Sequence, residues 1–391
     1  MALEVAAAPQ VLIIGGGVIG CSVAYHLARR GLSDIVVVER NTLGSGSTSR
    51  AAGGIRLQFS NEVNIRLSQY SLDCFENFNQ YTGLSEDECD IGFHQYGYLF
   101  LLTDQTTWGD FQENVILQRQ LGVPVEVFTP AQLAELYPGL EISDVLGATF
   151  CGKDGHASMH EVTQGFARKA RQAGVKFWEN CEVKSIKRDG QRITEVETDR
   201  GVIRPEIVVG CAGPWSGLLG EMAGVDLPVQ PYKRTLFFSE PFDELSERQP
   251  MTIDMGTGLY FRREGKGFLI GETDESQLPG FDTSTAWNWL DTVVEHAMQR
   301  VPAFERLRIR SGWSGLYDTS PDHNSIIGKI PELDNFFVAT GFSGHGFQQS
   351  PATGQVMSEL ILDGKAKTID ISSLGIERFR TGQFTRERNI V

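Results

Sequence analysis

The sequence has no hydrophobic run long enough to cross a membrane and no closely spaced cysteine pair. Its apolar stretches fall well short of the ~18 residues that suggest a transmembrane helix. The six cysteines are scattered and form no C-x-x-C motif, so we expect neither a metal centre nor a disulfide framework. We interpret them as small buried side chains in a reducing compartment. These absences predict a soluble, cytoplasmic protein without a bound metal.

Positive charge is also in short supply. The chain has 35 Lys and Arg against 50 Asp and Glu, a formal net charge of −15. Such a surface repels phosphate backbones, which excludes nucleic acid as an expected partner. Residues 1–10 contain an acid and no basic segment, so we expect a frayed lead into the first strand and not a secretory signal. With 391 residues, the chain is long enough for two or more domains.

The most informative segment is the apolar run that leads into a glycine-rich turn at Gly15, Gly17 and Gly20. A helical segment follows it, and a second apolar run ends in Glu39. This order of strand, G-x-G-x-x-G turn, helix, strand and acid is typical of a dinucleotide-binding fold. Gly15 is expected to make the tight turn, Gly17 to let backbone amides approach a pyrophosphate, and Gly20 to let the helix pack closely.

The helix start at Val18 and Ile19 favours anionic phosphates. Glu39 follows Gly20 by 19 residues, about where an acid accepts hydrogen bonds from ribose hydroxyls. A carboxylate there disfavours a 2′-phosphate, so NADP is not expected.

Beyond residue 80 the pattern changes to short strands separated by turns. Helical patterns return at 161–173, at 287–301 with Thr285 as the proposed cap, and at about 350–363. The strands predicted between them include 204–209. We predict an α/β (α+β) chain in which a parallel-sheet nucleotide domain is interleaved with a mainly antiparallel-sheet domain.

Glycine-rich turns occur at 15–20, 210–213 and 341–346. A nicotinamide dinucleotide would not need all three. A large, permanently held flavin would use one for its pyrophosphate, one near its adenine side and one under the isoalloxazine ring. The spacing therefore favours FAD over NAD.

Several segments resemble the D-amino-acid-oxidase (DAO) superfamily of flavoproteins, in its sarcosine, dimethylglycine and L-proline oxidase and dehydrogenase branch. They are Ile13–Gly20, Glu39-Arg40, Gly44–Arg56, Val209–Trp215, Gly341–Phe347, Glu377–Phe379 and Arg386–Val391. The resemblance implies bound FAD and oxidation of an amine C–N bond to an imine, by hydride transfer to flavin N5. It also implies a Rossmann-like FAD-binding domain at 9–85, 150–227 and 322–391. A substrate domain with a six-stranded antiparallel sheet would occupy 86–149 and 228–321.

The resemblance also assigns residues to the substrate. Arg56 stands where the family binds the substrate carboxylate, which suits a guanidinium fork. His345 is directed at the flavin or the substrate, unless it is a core histidine bonded to the backbone. Tyr260 and Tyr317 match tyrosines of the substrate face, although lone aromatics are more often core packing. Gln348 replaces a second carboxylate-binding lysine of single-subunit sarcosine oxidases, which weakens the case for sarcosine itself.

The loop 47–50 is expected to run beside the flavin. The predicted FAD contacts are Gly15, Gly17, Val18, Ile19, Gly20, Glu39, Arg40, Ser47, Thr48, Ser49, Arg50, Val183, Ala212, Gly213, Trp215, Gly341, Ser343, Gly344, His345, Gly346, Phe347 and Gln348. Some relatives attach FAD covalently through a histidine or a cysteine, but Arg50 and Gly315 stand at those positions. We therefore expect non-covalent FAD.

Leu269 falls where oxidases of the family keep an oxygen-activating lysine. Without that cation, nascent superoxide is not stabilised, so a dehydrogenase is favoured over an oxidase. His160 matches the point where multi-subunit sarcosine oxidases bind FMN, but we interpret it as a helix N-terminal residue.

The expected function is oxidation of a small secondary or N-methylated amino acid, such as sarcosine, dimethylglycine or proline. The electron acceptor is oxygen, a quinone or a partner flavin or iron–sulfur protein. One alternative is the β-type flavin subunit of a hetero-oligomer. Others are a primary L-amino-acid oxidase and, less favoured, a non-enzymatic FAD-containing assembly factor. The choice of amino acid and between homo- and hetero-oligomer stays open.

Overall fold

The structure, a computed structural model, describes residues 5–390. The helices are α1 (Val18–Arg29), α2 (Glu62–Glu76), α3 (Phe78–Thr82), α4 (Gln105–Gln120), α5 (Pro130–Leu136), α6 (Met159–Gln172), α7 (Ser216–Ala223), α8 (Leu290–Arg300), α9 (Gly346–Asp363) and α10 (Glu377–Thr381). The first ten strands are β1 (Val5–Ala7), β2 (Val11–Ile14), β3 (Ile35–Val38), β4 (Gly54–Ile55), β5 (Tyr98–Leu102), β6 (Glu126–Phe128), β7 (Gly147–Cys151), β8 (Gly155–His156), β9 (Lys176–Trp178) and β10 (Val183–Asp189). The others are β11 (Arg192–Thr198), β12 (Gly201–Ile203), β13 (Ile207–Gly210), β14 (Gln230–Ser239), β15 (Met251–Asp254), β16 (Leu259–Glu264), β17 (Gly267–Glu272), β18 (Ile309–Thr319), β19 (Ile326–Lys329) and β20 (Phe336–Thr340).

A six-stranded sheet in the order β19-β20-β13-β2-β3-β9 forms the nucleotide half. Its strands are parallel except for the antiparallel pair β19–β20. Strands β2 and β3 are buried throughout, and their continuous apolar runs are typical of a parallel sheet covered on both faces. Because β2, β13 and β20 are parallel neighbours, their carboxyl ends meet at one edge of the sheet. The three glycine turns follow those ends, so the fold brings them together.

The other half contains an eight-stranded sheet in the order β18-β14-β17-β16-β15-β5-β7-β6. It is antiparallel except for the parallel pair β15–β5, and it has two strands more than the resemblance implied. Side chains alternate between its faces. Phe237, Phe261 and Ile270 pack in the cluster that also contains Val293 of α8, whereas Leu236, Tyr260 and Leu269 pack in a different cluster.

The predicted fold class is confirmed, while the domain boundaries stay a prediction. Some element predictions were wrong in detail. The segment 204–209 is not one strand, because β12 ends at Ile203 and β13 begins at Ile207. Thr285 does not cap a helix: its hydroxyl donates to the Gly312 carbonyl at 3.2 Å, and a 3₁₀ turn precedes α8. The expected frayed lead is a strand at Val5–Ala7, and residues 1–4 lie outside the described residues.

Candidate functional site

A cleft opens where the glycine turns of the nucleotide sheet face β14 and β18. It encloses about 1590 Å³ of space free of protein atoms, including its open mouth. The predicted cofactor residues that line it are Gly15, Gly17, Val18, Ile19, Glu39, Arg40, Ser47, Thr48, Arg50, Val183, Ala212, Gly213, Trp215, Gly344, Gly346 and Phe347. Tyr317 lines it as well. Among the described residues, the cleft lining does not include Gly20, Ser49, Arg56, Tyr260, Gly341, Ser343, His345 or Gln348.

The first glycine turn is packed so closely that Gly15 and Gly20 cannot be replaced by a residue with a side chain. A Cβ on Gly15 would stand 2.2 Å from the Cys211 carbonyl oxygen, and one on Gly20 would stand 1.9 Å from the Gly15 carbonyl oxygen. Gly15 also has φ +111°, which favours glycine. Gly20 therefore supports the turn by close packing, although it does not line the cleft.

Gly17 precedes α1 and supplies no side-chain cap. The N–H groups of a first helical turn have no carbonyl partner within the helix. Thr48 Oγ1 accepts the Val18 N–H at 3.1 Å, and the helix start as a whole lines the cleft. This arrangement suits the pyrophosphate of a dinucleotide.

Glu39 lies at the end of β3 and faces the same cleft. Its carboxylate accepts the N–H groups of Gly16 and Asn41, each at 2.9 Å. These bonds fix the glycine turn against β3. Because a carboxylate oxygen accepts more than one hydrogen bond, Glu39 can also receive a ribose hydroxyl.

The 3₁₀ turn Thr48–Arg50 joins the two halves of the molecule. The Ser47 hydroxyl donates to the Leu316 carbonyl at 2.6 Å, and Arg50 Nη1 donates to the Ser314 carbonyl at 2.8 Å. A Cβ on Gly315 would lie 2.9 Å from Arg50 Cβ. The two positions at which the resemblance implied attachment residues therefore lie against each other. Ser49 turns away, with its hydroxyl on the Gly46 carbonyl at 3.3 Å.

An aromatic stack closes one side of the cleft. The Arg40 guanidinium lies 3.6 Å from the centre of the Trp215 ring. Phe281 stacks on Trp215 with ring centres 5.7 Å apart and planes inclined by 15°. Phe281 belongs to the loop after β17, so this stack also joins the two halves.

Three tyrosines lie near one another: Tyr98 of β5, Tyr260 of β16 and Tyr317 of β18. The Tyr317 ring packs so closely on Gly344 that a Cβ there would lie 2.6 Å from it. Tyr260 fills the space above Gly271 in the same way, at 2.5 Å, and the Tyr98 hydroxyl fills the space above Gly54. Burial raises the pKa of all three phenols, so they stay protonated. Among residues 5–390, none makes a hydrogen bond to these three hydroxyls, and Tyr317 is the one of the three that lines the cleft. The sequence did not point to Tyr98.

Arg56, His345 and Gln348 form one buried group. The Arg56 backbone N–H donates to Gln348 Oε1 at 2.7 Å, and its Nη2 lies 3.3 Å from His345 Nε2. Burial, followed by the charge of Arg56, lowers the pKa of His345 well below its usual value, so the imidazole is neutral. Because a guanidinium only donates, His345 Nε2 is the acceptor in this contact.

The rest of the Arg56 guanidinium is held by backbone and aromatic groups. Nη1 donates to the Gln58 carbonyl at 2.5 Å, Nη2 donates to the Asn389 carbonyl, and the Phe59 ring lies 4.0 Å away. These contacts fix its orientation. Of the five N–H donors of a guanidinium, two remain for a ligand.

The C-terminal segment 386–390, which the resemblance included, is part of this site, although the sequence did not predict its contact with Arg56. Glu387 is fully buried, and its carboxylate accepts from Ser60, Asn61 and Asn64. Asn389, also fully buried, accepts from Asn114 Nδ2 at 3.0 Å. Its carbonyl receives Arg56, so the end of the chain orients the arginine.

One buried carboxyl group, Asp154, and one partly buried, Asp318, lie in this part of the structure. Asp154 accepts the Leu57 N–H at 2.9 Å, and burial raises its pKa to about 7. Asp318 lines the cleft and accepts the Phe342 N–H at 3.1 Å; burial raises its pKa to about 6. Its backbone carbonyl accepts the N–H of Ser343, whose φ is +52°. Ser343 and Gly341 thus shape the third glycine turn behind the lining.

The structure also locates Leu269 and His160, two residues that the sequence analysis singled out. Leu269 is buried and shares a cluster with Tyr260 and Tyr98. His160 is exposed near the start of α6. Within the described part of the chain, no group of three or more acidic, histidine or cysteine side chains could hold a metal. No described helix is both long and apolar enough to cross a membrane.

Comparison with known proteins places this geometry in a family. The model for FAD dependent oxidoreductases, the DAO family, matches residues 10–360. FAD-dependent oxidoreductase domain-containing protein 1 of Xenopus laevis is 34% identical, over 98% of this chain and 85% of its own length. Sarcosine oxidase subunit beta of an Arthrobacter species is 30% identical, over 97% of this chain and 93% of its own.

Among solved structures, L-proline dehydrogenase from P. horikoshii superposes with a TM-score of 0.88 at 34% identity. The match covers 96% of this chain and 99% of that one. The residues described above fit the cofactor, since the start of α1, an acid for ribose and three converging glycine turns line one cleft. The predictions of FAD and of an oxidoreductase are confirmed. The chain belongs to the DAO family of FAD dependent oxidoreductases.

Proposed function

We propose that this protein oxidises the C–N bond of a small secondary or N-methylated amino acid to an imine, with FAD held non-covalently. The observation that carries the proposal is the buried pair of Arg56 and neutral His345, which lies behind the cleft next to Tyr317 of its wall. The names of two relatives, a sarcosine oxidase subunit and a proline dehydrogenase, support this substrate class.

Bound FAD supplies the acceptor for two electrons and a proton. The protein must hold the substrate by its carboxylate and keep its amine neutral. Arg56 has two donors left for the carboxylate, and its other contacts prevent it from turning away. His345 cannot add positive charge near the amine, because it is itself neutral. The Tyr317 hydroxyl, which no described residue bonds, can donate or accept a hydrogen bond at the wall of the cleft and so orient the substrate.

Leu269 supports a dehydrogenase in preference to an oxidase. An apolar side chain stands where oxidases of the family are expected to carry a lysine, so an oxygen molecule gains no cation there. Electrons then leave to a quinone or to a partner flavin or iron–sulfur protein. A β-type subunit in a hetero-oligomer is the second candidate, favoured by the 30% identity to sarcosine oxidase subunit beta. The expected cytoplasmic location stays a prediction, and some relatives have mitochondrial names.

The test is anaerobic reduction of the purified holoprotein by a panel of sarcosine, dimethylglycine, L-proline, N-methylated longer amino acids and L-alanine. Loss of oxidised flavin absorbance, with an imine-derived carbonyl product, is expected for secondary or N-methylated members. Fastest reduction by a primary amino acid would replace the proposal with the primary amino-acid oxidase alternative. No reduction by any member would refute catalysis of this kind.

A further inference from the structure

Arg234 is a second arginine at the substrate end of the cleft. It lies on β14 directly opposite Gly315 of β18 and lines the cleft. Its neighbour Lys233 is on the opposite side of the strand, where its ammonium group pairs with Asp282 at 2.8 Å. The alternation of the strand therefore places one cation inside the cleft and the next one outside it.

The Arg234 guanidinium is only partly used by the protein. Nη1 donates to the Lys233 carbonyl at 3.0 Å, while Nε is buried and has no hydrogen-bond partner. In the part of the chain that the structure describes, no carboxylate lies within ion-pair distance of it. Asp274, an acid in its neighbourhood, is bonded to Ser276 and Gln277. A partly buried cation without an anion is costly, so an anionic ligand would stabilise this arrangement.

Arg234 and Arg56 both lie near Tyr317. The Arg234 guanidinium is 5.0 Å from the centre of the Tyr317 ring. Gly344 packs on that ring, and the next residue, His345, contacts Arg56 at 3.3 Å. Both arginines act electrostatically on the Tyr317 hydroxyl, since each opposes the burial that raises its pKa. The substrate end thus presents two guanidinium groups around one phenol.

We propose that the substrate is an amino acid with a second carboxylate, which Arg234 binds while Arg56 binds the α-carboxylate. This inference rests on the proposed function for the role of Arg56. A monocarboxylic amino acid would pair one guanidinium and leave the other without an anion. A dicarboxylic one pairs both, and each carboxylate can accept from a guanidinium in a charge-assisted hydrogen bond. Arg234 is then a specificity-determining residue.

The test compares N-methyl-L-glutamate with N-methyl-L-glutamine, which differ only in the second carboxylate. Anaerobic flavin reduction is measured for the wild-type holoprotein, Arg234→Met, Arg234→Lys and the matched control Lys233→Met. We expect the wild type to prefer the acid by about tenfold or more, a typical effect of a charge-assisted contact. Arg234→Met should abolish the preference, because reduction by the acid then slows to the rate seen with the amide. Arg234→Lys should keep part of the preference for the acid, and Lys233→Met should keep all of it.

A binding measurement separates this inference from the proposed function. Glutarate and its monoamide, glutaramate, are unreactive and can be titrated by the change in flavin absorbance. Tighter binding of glutarate that depends on Arg234 supports the inference even if no amino acid reduces the flavin. Equal rates of reduction by N-methyl-L-glutamate and N-methyl-L-glutamine, together with equal binding of glutarate and glutaramate, overturn the inference. Reduction by N-methyl-L-alanine would in that case still support the proposed function. Loss of FAD from both Arg234 variants, but not from Lys233→Met, would assign the arginine to the cofactor and also overturn it.

Discussion

Replacement of Arg56 by alanine tests the group on which the proposed function depends. The side chain is 4% exposed, donates to two backbone carbonyls and contacts His345. Burial lowers its pKa, and the charge of Glu387 opposes that effect most strongly among its neighbours. A carboxylate about 4 Å from this cation gains roughly 4 kcal/mol at an effective dielectric constant near 20.

Truncation of one partner in a buried, hydrogen-bonded charge pair costs roughly 2–5 kcal/mol. At about 1.4 kcal/mol per tenfold, kcat/KM for the amino acid should fall by roughly 30-fold to several thousand-fold. Arg56→Lys keeps the charge and loses the fork, so we expect a smaller loss of about tenfold. FAD content should stay unchanged in both variants, because Arg56 does not line the cleft.

The assay is anaerobic stopped-flow reduction of the flavin, with FAD content and thermal stability measured on the same samples. Arg388→Ala is the matched control: this arginine is two residues from the end of the described chain, 47% exposed, and paired with Asp110 at 2.7 Å. Its variant should behave like the wild type, since exposed pairs contribute little. Normal kcat/KM in Arg56→Ala, or a loss explained by missing FAD, would refute the assignment of the carboxylate to Arg56.

Three further predictions concern the cofactor, oxygen and pH. Acid precipitation should release FAD into the supernatant, because neither Arg50 nor Gly315 forms the family's covalent links; flavin in the pellet would contradict this. Substrate-reduced protein should react slowly with oxygen and quickly with a quinone dye. Leu269→Lys should speed the oxygen reaction by about tenfold or more, with Leu269→Met as control, and rapid reoxidation of the wild type would favour an oxidase. Burial raises the pKa of Asp154 from 3.8 to about 7, so the folded protein favours the protonated carboxyl group. The stability that this group contributes is therefore complete below pH 4 and is lost as the pH rises through 7. The raised pKa corresponds to about 4 kcal/mol of pH-dependent stability. The free energy of unfolding, measured by chemical denaturation across pH 4–8, should therefore change less with pH in Asp154→Asn than in the wild type. The same pH dependence in both proteins would refute the raised pKa of Asp154.

The local sequence was enough for the core of the nucleotide half. An apolar run, a glycine turn and a helix need only adjacent residues, so Gly15, Gly17 and Glu39 could be placed from the order of residues alone. Helices α2 and α4 were missed even though Asn61 and Asp104 accept hydrogen bonds from their first-turn N–H groups. No element was predicted over α2, and the Asp104 cap is a weak signal in a segment, beyond residue 80, whose apolar pattern suggested short strands.

The substrate end depended on contacts that sequence order does not show. Arg234 faces the cleft and Lys233 does not, a difference of one residue that only the register of β14 against β18 decides. Tyr98 joins the phenols because β5 pairs with β15 in the middle of the eight-stranded sheet. Asn389 reaches Arg56 across most of the chain's length. The sequence thus determined the dinucleotide turn, where neighbouring residues act together, and the tertiary structure decided which distant charges share one buried space.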